Sequence, residues 1–176
     1  MENHMSYQDS VKEALVIALT ELMHEKNMSQ ITIQELVKKA GVGRSSFYRH
    51  FDSKEDILCY RINQLIDTSK LNLNPYNEDH LKSYIISQFR LWKENKDFIL
   101  VLKQNDLLYL LFKQTSLSVK NNIAAFHLYK NPYQAVFFSS AAMGVIIQWI
   151  ENNFKESETE LTEMFIYLMS GQHMQR

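Results

Sequence analysis

Apolar residues recur at three- and four-residue spacing along most of the chain, and few runs alternate as a strand would. Ala14, Leu15, Ala18, Leu19, Leu22 and Met23 form one such stripe, and Ser6 with Asp9 ahead of it reads as a capping box, predicting a helix to about residue 26. A second set, Ile33, Leu36, Val37 and Ala40, follows a further capping box at Thr32 and Glu35 and stops at Gly41. Gly41 supplies the positive φ of a sharp turn, Val42 an apolar plug, and Gly43 the cap of a short helix over residues 44–50. Phe47 and Phe51 lie four apart and share a face with Val42. Ser53 with Asp56 starts the next helix, which carries Ile57, Leu58, Ile62, Leu65 and Ile66 to about residue 70.

Residues 71–77 (LNLNPYN) are the clearest break, and they predict a domain boundary. Beyond it a helix carries Leu81, Tyr84, Ile85, Gln88, Phe89 and Trp92. Residues 98–102 (FILVL) have the local preference of a strand, but their surroundings favour a short buried helix. Asp106 is expected to cap a helix over about residues 107–128, with Asn121 and Asn122 marking a kink or break. Asn131 and Pro132 start a long helix to about residue 154. That helix is apolar nearly all round, with Val136, Phe137, Phe138, Met143, Val145, Ile146, Ile147, Trp149 and Ile150 covering more than one face. Ser157 and Glu160 cap the last helix, where Leu161, Met164, Phe165, Leu168 and Met169 repeat at three and four. Surplus apolar surface on two adjacent helices points to self-association, the alternative being an entirely intramolecular core. The fold class is all-α.

The composition is that of a soluble globular chain: 176 residues, 45% hydrophobic, with four glycines and two prolines. The formal net charge of −1 would argue against a nucleic-acid partner if total charge decided, but the field at one face is what matters. Between residues 38 and 54, Lys38, Lys39, Arg44, Arg49 and Lys54, with His50 available, face a single acid, Asp52. Acids gather instead at Glu151, Glu156, Glu158, Glu160 and Glu163. One cysteine, Cys59, excludes an internal disulfide framework, suits a reducing cytoplasm, and is expected to be buried. The polar start MENHMSYQDS has no secretion signal. The most apolar stretches, 98–112 and 135–150, fall short of the about 18 uninterrupted apolar residues of a membrane span. There is no Gly-rich phosphate loop, paired-histidine metal motif or nucleophile elbow, so no enzyme, cofactor or metal is expected.

With Phe47 and Phe51 inward, Arg44, Ser45, Ser46, Tyr48 and Arg49 are left outward, a donor-rich face that is either plain solvated surface or a DNA contact. The spacing of Gly41, Val42, Phe47, Tyr48, Phe51, Lys54, Glu55, Ile57 and Leu58 resembles the DNA-binding domain of TetR/AcrR-family transcriptional regulators, over about residues 7–70. Ala141 onward (AAMGVIIQWI) is similar to a C-terminal type found in regulators of dihydroxyacetone-kinase operons. The resemblance implies a helix-turn-helix domain over residues 1–52, a connecting helix over 53–70, and an effector-binding and dimerisation domain over 71–176.

It further implies that Gln34, Arg44 and Ser45 meet base edges, with Arg49 as a fourth, and that Ser46, Tyr48, His50 and Lys54 meet phosphates of double-stranded DNA. A lysine in the first turn of a helix opposes the helix dipole, and a phosphate would offset it; a tolerated surface lysine is the other reading of Lys54. The family pattern also implies a homodimer through residues 131–154 and 157–170, a pseudo-palindromic operator, repression, and release by a small-molecule effector. Tyr84, Trp92, Tyr109, Lys113 and Trp149 are candidates for the effector pocket, a core role being the first reading for each one taken singly. The alternative function is a co-regulator that keeps the fold and acts through protein partners.

Overall fold

The computed structural model describes residues 7–68, 78–122 and 131–170. Among the described residues there are nine α-helices and one 3₁₀ turn, and no strand. Two compact units divide between Ile62 and Asn63, inside the fourth helix. The break expected at residues 71–77 lies outside the described residues.

In the first unit, α1 (Tyr7–Glu25) buries Val11, Leu15, Ala18, Leu19, Leu22 and Met23. Its expected cap, Ser6, lies outside the described residues. The 3₁₀ turn Met28–Gln30 is held by Asn27, whose Oδ1 accepts from the Ser29 amide at 2.9 Å and the Ser29 hydroxyl at 2.8 Å. Helix α2 (Ile33–Ala40) opens on a reciprocal cap, with the Glu35 amide donating to Thr32 Oγ1 at 3.2 Å and the Thr32 amide donating to Glu35 Oε2 at 2.9 Å. It ends at Gly41, in the left-handed region at φ 67°, and the Val42 amide closes back on the Val37 carbonyl at 3.0 Å. Gly43 then starts α3 (Arg44–His50) without a side-chain cap. Ser53 and Asp56 exchange bonds at the start of α4 (Lys54–Thr68), which buries Ile57, Leu58, Ile62, Leu65 and Ile66. Cys59, on the same helix, is half-buried rather than buried.

In the second unit, α5 (Glu78–Glu94) packs along α9 (Glu158–Met169). Lys93 pairs with Glu158 at 3.0 Å and Lys82 with Glu163 at 3.5 Å, so the two helices run antiparallel. Residues 98–102 form a buried helix and not a strand, within α6 (Lys96–Gln104), where Phe98, Ile99, Val101 and Leu102 are in the core. Asp106 does not cap the following helix. It stands at φ 59° just past α6, its amide donating to the Lys103 carbonyl while the Leu107 amide donates to the Leu102 carbonyl. That is a left-handed closure of α6, a conformation a short polar side chain tolerates. Helix α7 (Tyr109–Asn122) therefore begins two residues later than expected.

Helix α8 (Pro132–Glu151) starts as the Asn131–Pro132 pair predicts, with Asn131 Oδ1 accepting from the Gln134 amide at 3.0 Å. It packs on α6 and α7, burying Met143, Ile146, Trp149 and Ile150. Lys103 closes its far end, donating to the Ile150 carbonyl at 3.3 Å and the Glu151 carbonyl at 2.9 Å. By length and composition this 20-residue helix is apolar enough to cross a membrane, contrary to the sequence expectation. The core helix of a globular unit meets the same criterion, and α8 has four residues in that core.

Gly41 ends α2 in a conformation that costs an L-residue about 1–2 kcal/mol, and a Cβ placed there meets nothing within 4 Å. Gly41→Ala should therefore lower unfolding stability by about 1–2 kcal/mol in urea titration, and Gly41→Asn by less, because Asn enters the left-handed region more readily.

Candidate nucleic-acid interface

The seven residues of α3 are placed by what lies beneath them. Phe47 is fully buried, edge-on to Tyr48 at 5.0 Å and 6.5 Å from Phe51, and Phe51 packs edge-on against Tyr60 at 5.7 Å. With that face fixed, Arg44, Ser45, Tyr48 and Arg49 are exposed, Ser46 and His50 half-buried, and Gln34 exposed on α2. Helix α2 packs on α3, so these residues occupy one head.

Arg44 and Tyr48, one turn apart, form a stacked pair. The guanidinium lies 5.6 Å from the ring centroid, and Nη2 donates to the phenol oxygen at 3.5 Å. Arg49 and Lys38 make no ion pair among the described residues, and Arg44 makes none either. Lys39, by contrast, is turned to α1, pairing with Glu21 at 3.0 Å and Glu25 at 3.6 Å; the Glu21 hydrogen bond raises its pKa above the ordinary value.

Glu35 ties three groups together. Besides capping α2, its Oε1 accepts from Lys26 Nζ at 2.6 Å. The Lys26 bond, then those from the Thr32 amide and hydroxyl, lower its pKa from 4.5 to about 2. Lys54 departs from the sequence expectation: its ammonium does not stand toward solvent but donates to the carbonyls of Met28 and Ile31. Those carbonyls offset the cation in the first turn of α4. Burial lowers the Lys54 pKa, against the pull of Glu35.

Of the four pocket candidates whose side chains are described, Trp92 and Trp149 are buried and Tyr109 and Lys113 are exposed. Trp149 is 1% exposed, its Nε1 donating to the Glu156 carbonyl at 3.0 Å and its ring edge-on to Phe89 and Phe154. Trp92 is likewise core. Tyr109 and Lys113 lie one turn apart on the exposed face of α7, and the side chain of Tyr84 lies outside the described residues. Elsewhere in this unit, Tyr133, Val136 and Phe137 on α8 are 86%, 52% and 66% exposed, with Met164, Tyr167 and Leu168 exposed on α9.

A helix, a left-handed turn at Gly41, and a second helix with Arg44 and Arg49 exposed define the helix-turn-helix class. The profile described as "Bacterial regulatory proteins, tetR family" matches residues 12–59, and one described as "Transcriptional regulator C-terminal region" matches residues 79–171. The chain belongs to the TetR family of bacterial regulatory proteins.

It is 30% identical over 105 residues to the HTH-type transcriptional regulator YerO of Bacillus subtilis (strain 168), a match covering 55% of this chain and 36% of that protein. It is 27% identical over 82 residues to an HTH-type transcriptional regulator of Staphylococcus aureus (strain N315), covering 47% of this chain and 42% of that one. The chain thus spans less than half the length of these curated relatives. The fold is similar to that of a TetR transcriptional regulator from Streptococcus agalactiae 2603V, with TM-score 0.61 and 21% identity over 92% of this chain and 94% of that one. A TetR-family regulator from Syntrophomonas wolfei gives TM-score 0.60 and 16% identity over 92% and 93%.

Because the folded pKa of Glu35 lies below its ordinary value, its contribution to stability is present above pH 4.5 and is lost as pH falls toward about 2. Glu35→Gln should be less stable than the parent above that window, and the difference should shrink as pH falls through it; urea midpoints of both proteins across pH measure this.

Proposed function

We propose that the protein is a homodimeric transcriptional repressor whose α3 helices enter successive major grooves of a pseudo-palindromic operator. The observation that carries this reading is the outward face of α3, where Arg44 and Arg49 are exposed without an acidic partner among the described residues. An unpaired arginine fork in a fixed frame fits the O6 and N7 of guanine, and Gln34 fits adenine. Arg44 and Ser45 take base edges in this reading, with Arg49 beside them, while Ser46, Tyr48 and His50 take phosphates. The Tyr48 stack holds Arg44 close to α3 before DNA arrives, which limits the freedom lost on binding.

The dimer is supported by the exposed apolar residues of the last two helices, Tyr133, Val136 and Phe137 on α8 and Met164, Tyr167 and Leu168 on α9. Such surface is unfavourable in water and suited to a second copy. Release by a small molecule bound in the second unit rests on family membership; the placement of Trp92, Tyr109, Lys113 and Trp149 lends it no support. Any such coupling is reciprocal, so DNA would weaken effector binding by the factor by which effector weakens DNA binding.

Selection of duplexes from a random pool should enrich one palindromic sequence with guanine in each half-site. Arg44→Ala should then lose about 1–3 kcal/mol on that sequence and relax preference at one base pair. Equal losses on the selected and a scrambled duplex would remove Arg44 from base reading, and no enrichment at all would favour a co-regulator acting through protein partners. Phe137→Asp combined with Leu168→Asp should shift sedimentation from dimer to monomer and weaken operator binding, since two half-sites would then be bound separately. An unchanged sedimentation coefficient would place the dimer contact elsewhere.

A further inference from the structure

Lys54 has a bonding pattern that the DNA-reading role does not use. Its ammonium, at the first residue of α4, reaches back to the carbonyls of Met28 and Ile31 at the two ends of the 3₁₀ turn. Two of its three donors are thereby engaged inside the head. Among the described residues the Ile31 carbonyl has this ammonium as its partner, while the Ile31 side chain is 2% exposed in the core. The next residue, Thr32, is the cap of α2, and its hydroxyl and amide are both held by Glu35, which also binds Lys26 at the end of α1. A continuous polar chain thus runs from α4 through the turn to the cap of α2 and back to α1. Helix α2 carries Gln34 and is packed on α3.

We propose that Lys54 is a positioning residue of the DNA-reading head: it pins the connection between α1 and α2 to the start of α4, so fixing α2 and α3, and does not itself contact a phosphate. An ammonium committed to these two carbonyls would have to give them up to meet DNA; the Met28 carbonyl would keep the Ile31 amide at 3.2 Å, while the Ile31 carbonyl would lose the partner it has among the described residues. The head instead keeps this cation inside and presents Lys38, Arg44 and Arg49 to the outside.

The inference rests on the DNA-reading function proposed above, and it has a readout that a phosphate contact or a purely structural role does not share. Lys54→Met keeps the aliphatic stem and removes the ammonium. Measured at a temperature where the variant is folded, its affinity ratio for selected over scrambled duplex should fall about tenfold, as for one misaligned base contact. The salt slope on scrambled duplex should stay that of the parent. A slope smaller by about one with an unchanged ratio would make Lys54 a phosphate ligand and overturn the proposal. An unchanged ratio and slope would leave only a stability role and overturn it equally. Should Lys54→Met not fold, the proton–nitrogen resonance of the Lys54 ammonium in the unaltered protein decides. A slowly exchanging signal in the free protein that scrambled duplex leaves in place supports the pin, whereas a signal that emerges or moves only with duplex overturns it. If no duplex is ever enriched, the DNA-reading function fails, while the free-protein resonance still reports on the pin.

Discussion

A helix of seven residues with a glycine cap cannot stand in water by itself, since isolated helices shorter than about 12–15 residues are marginal even in favourable sequences. α3 exists because Phe47 is driven completely into the core laid down by α1, α2 and α4. That single burial fixes the rotation of the helix about its axis. Once Phe47 and Phe51 are inward, the outward positions follow from helix geometry, and Arg44, Ser45, Tyr48 and Arg49 are held outside. The turn at Gly41 completes the constraint by setting the angle at which α3 leaves α2.

Charge in the first unit is sorted by the same frame. A chain of net charge −1 has no surplus of cations to spend on DNA, and the tally along residues 38–54 overstates those that face outward. Lys39 belongs to Glu21 and Glu25, Lys26 to Glu35, and Lys54 to two backbone carbonyls. What is left outside is concentrated on α3 and the end of α2, and it includes two arginines whose planar forks suit guanine better than they suit a lone phosphate. In this account specificity and structure draw on different cations.

Features made by neighbours in the chain could be read from the sequence. The caps at Thr32–Glu35, Asn131–Pro132 and Ser157–Glu160, and the turn at Gly41, are local chemistry and stand where their residue types predict. Phe47 and Phe51 were readable because their spacing selects one helical face. Asp106 was misread because an aspartate serves equally well as a cap and as a left-handed residue, and the sequence alone does not choose. The contacts of Lys54 were not legible for another reason: its partners lie 26 and 23 residues earlier and are carbonyls, which every residue has. Trp149 shows the same limit, since the carbonyl of Glu156 and the rings of Phe89 and Phe154 reveal a core role that its apolar character left open.

The central claim is that the outer face of α3 lies against base edges in the major groove. Disulfide trapping tests it most directly, with Ser45→Cys in a Cys59→Ala background against duplexes that carry a thiol tethered to one base edge. The account predicts a cross-link from position 45 to a major-groove tether within each half-site of the selected sequence, and none from Ser83→Cys, an exposed position in the other unit. Trapping at position 45 no greater than at position 83, or trapping only to minor-groove tethers, would contradict it.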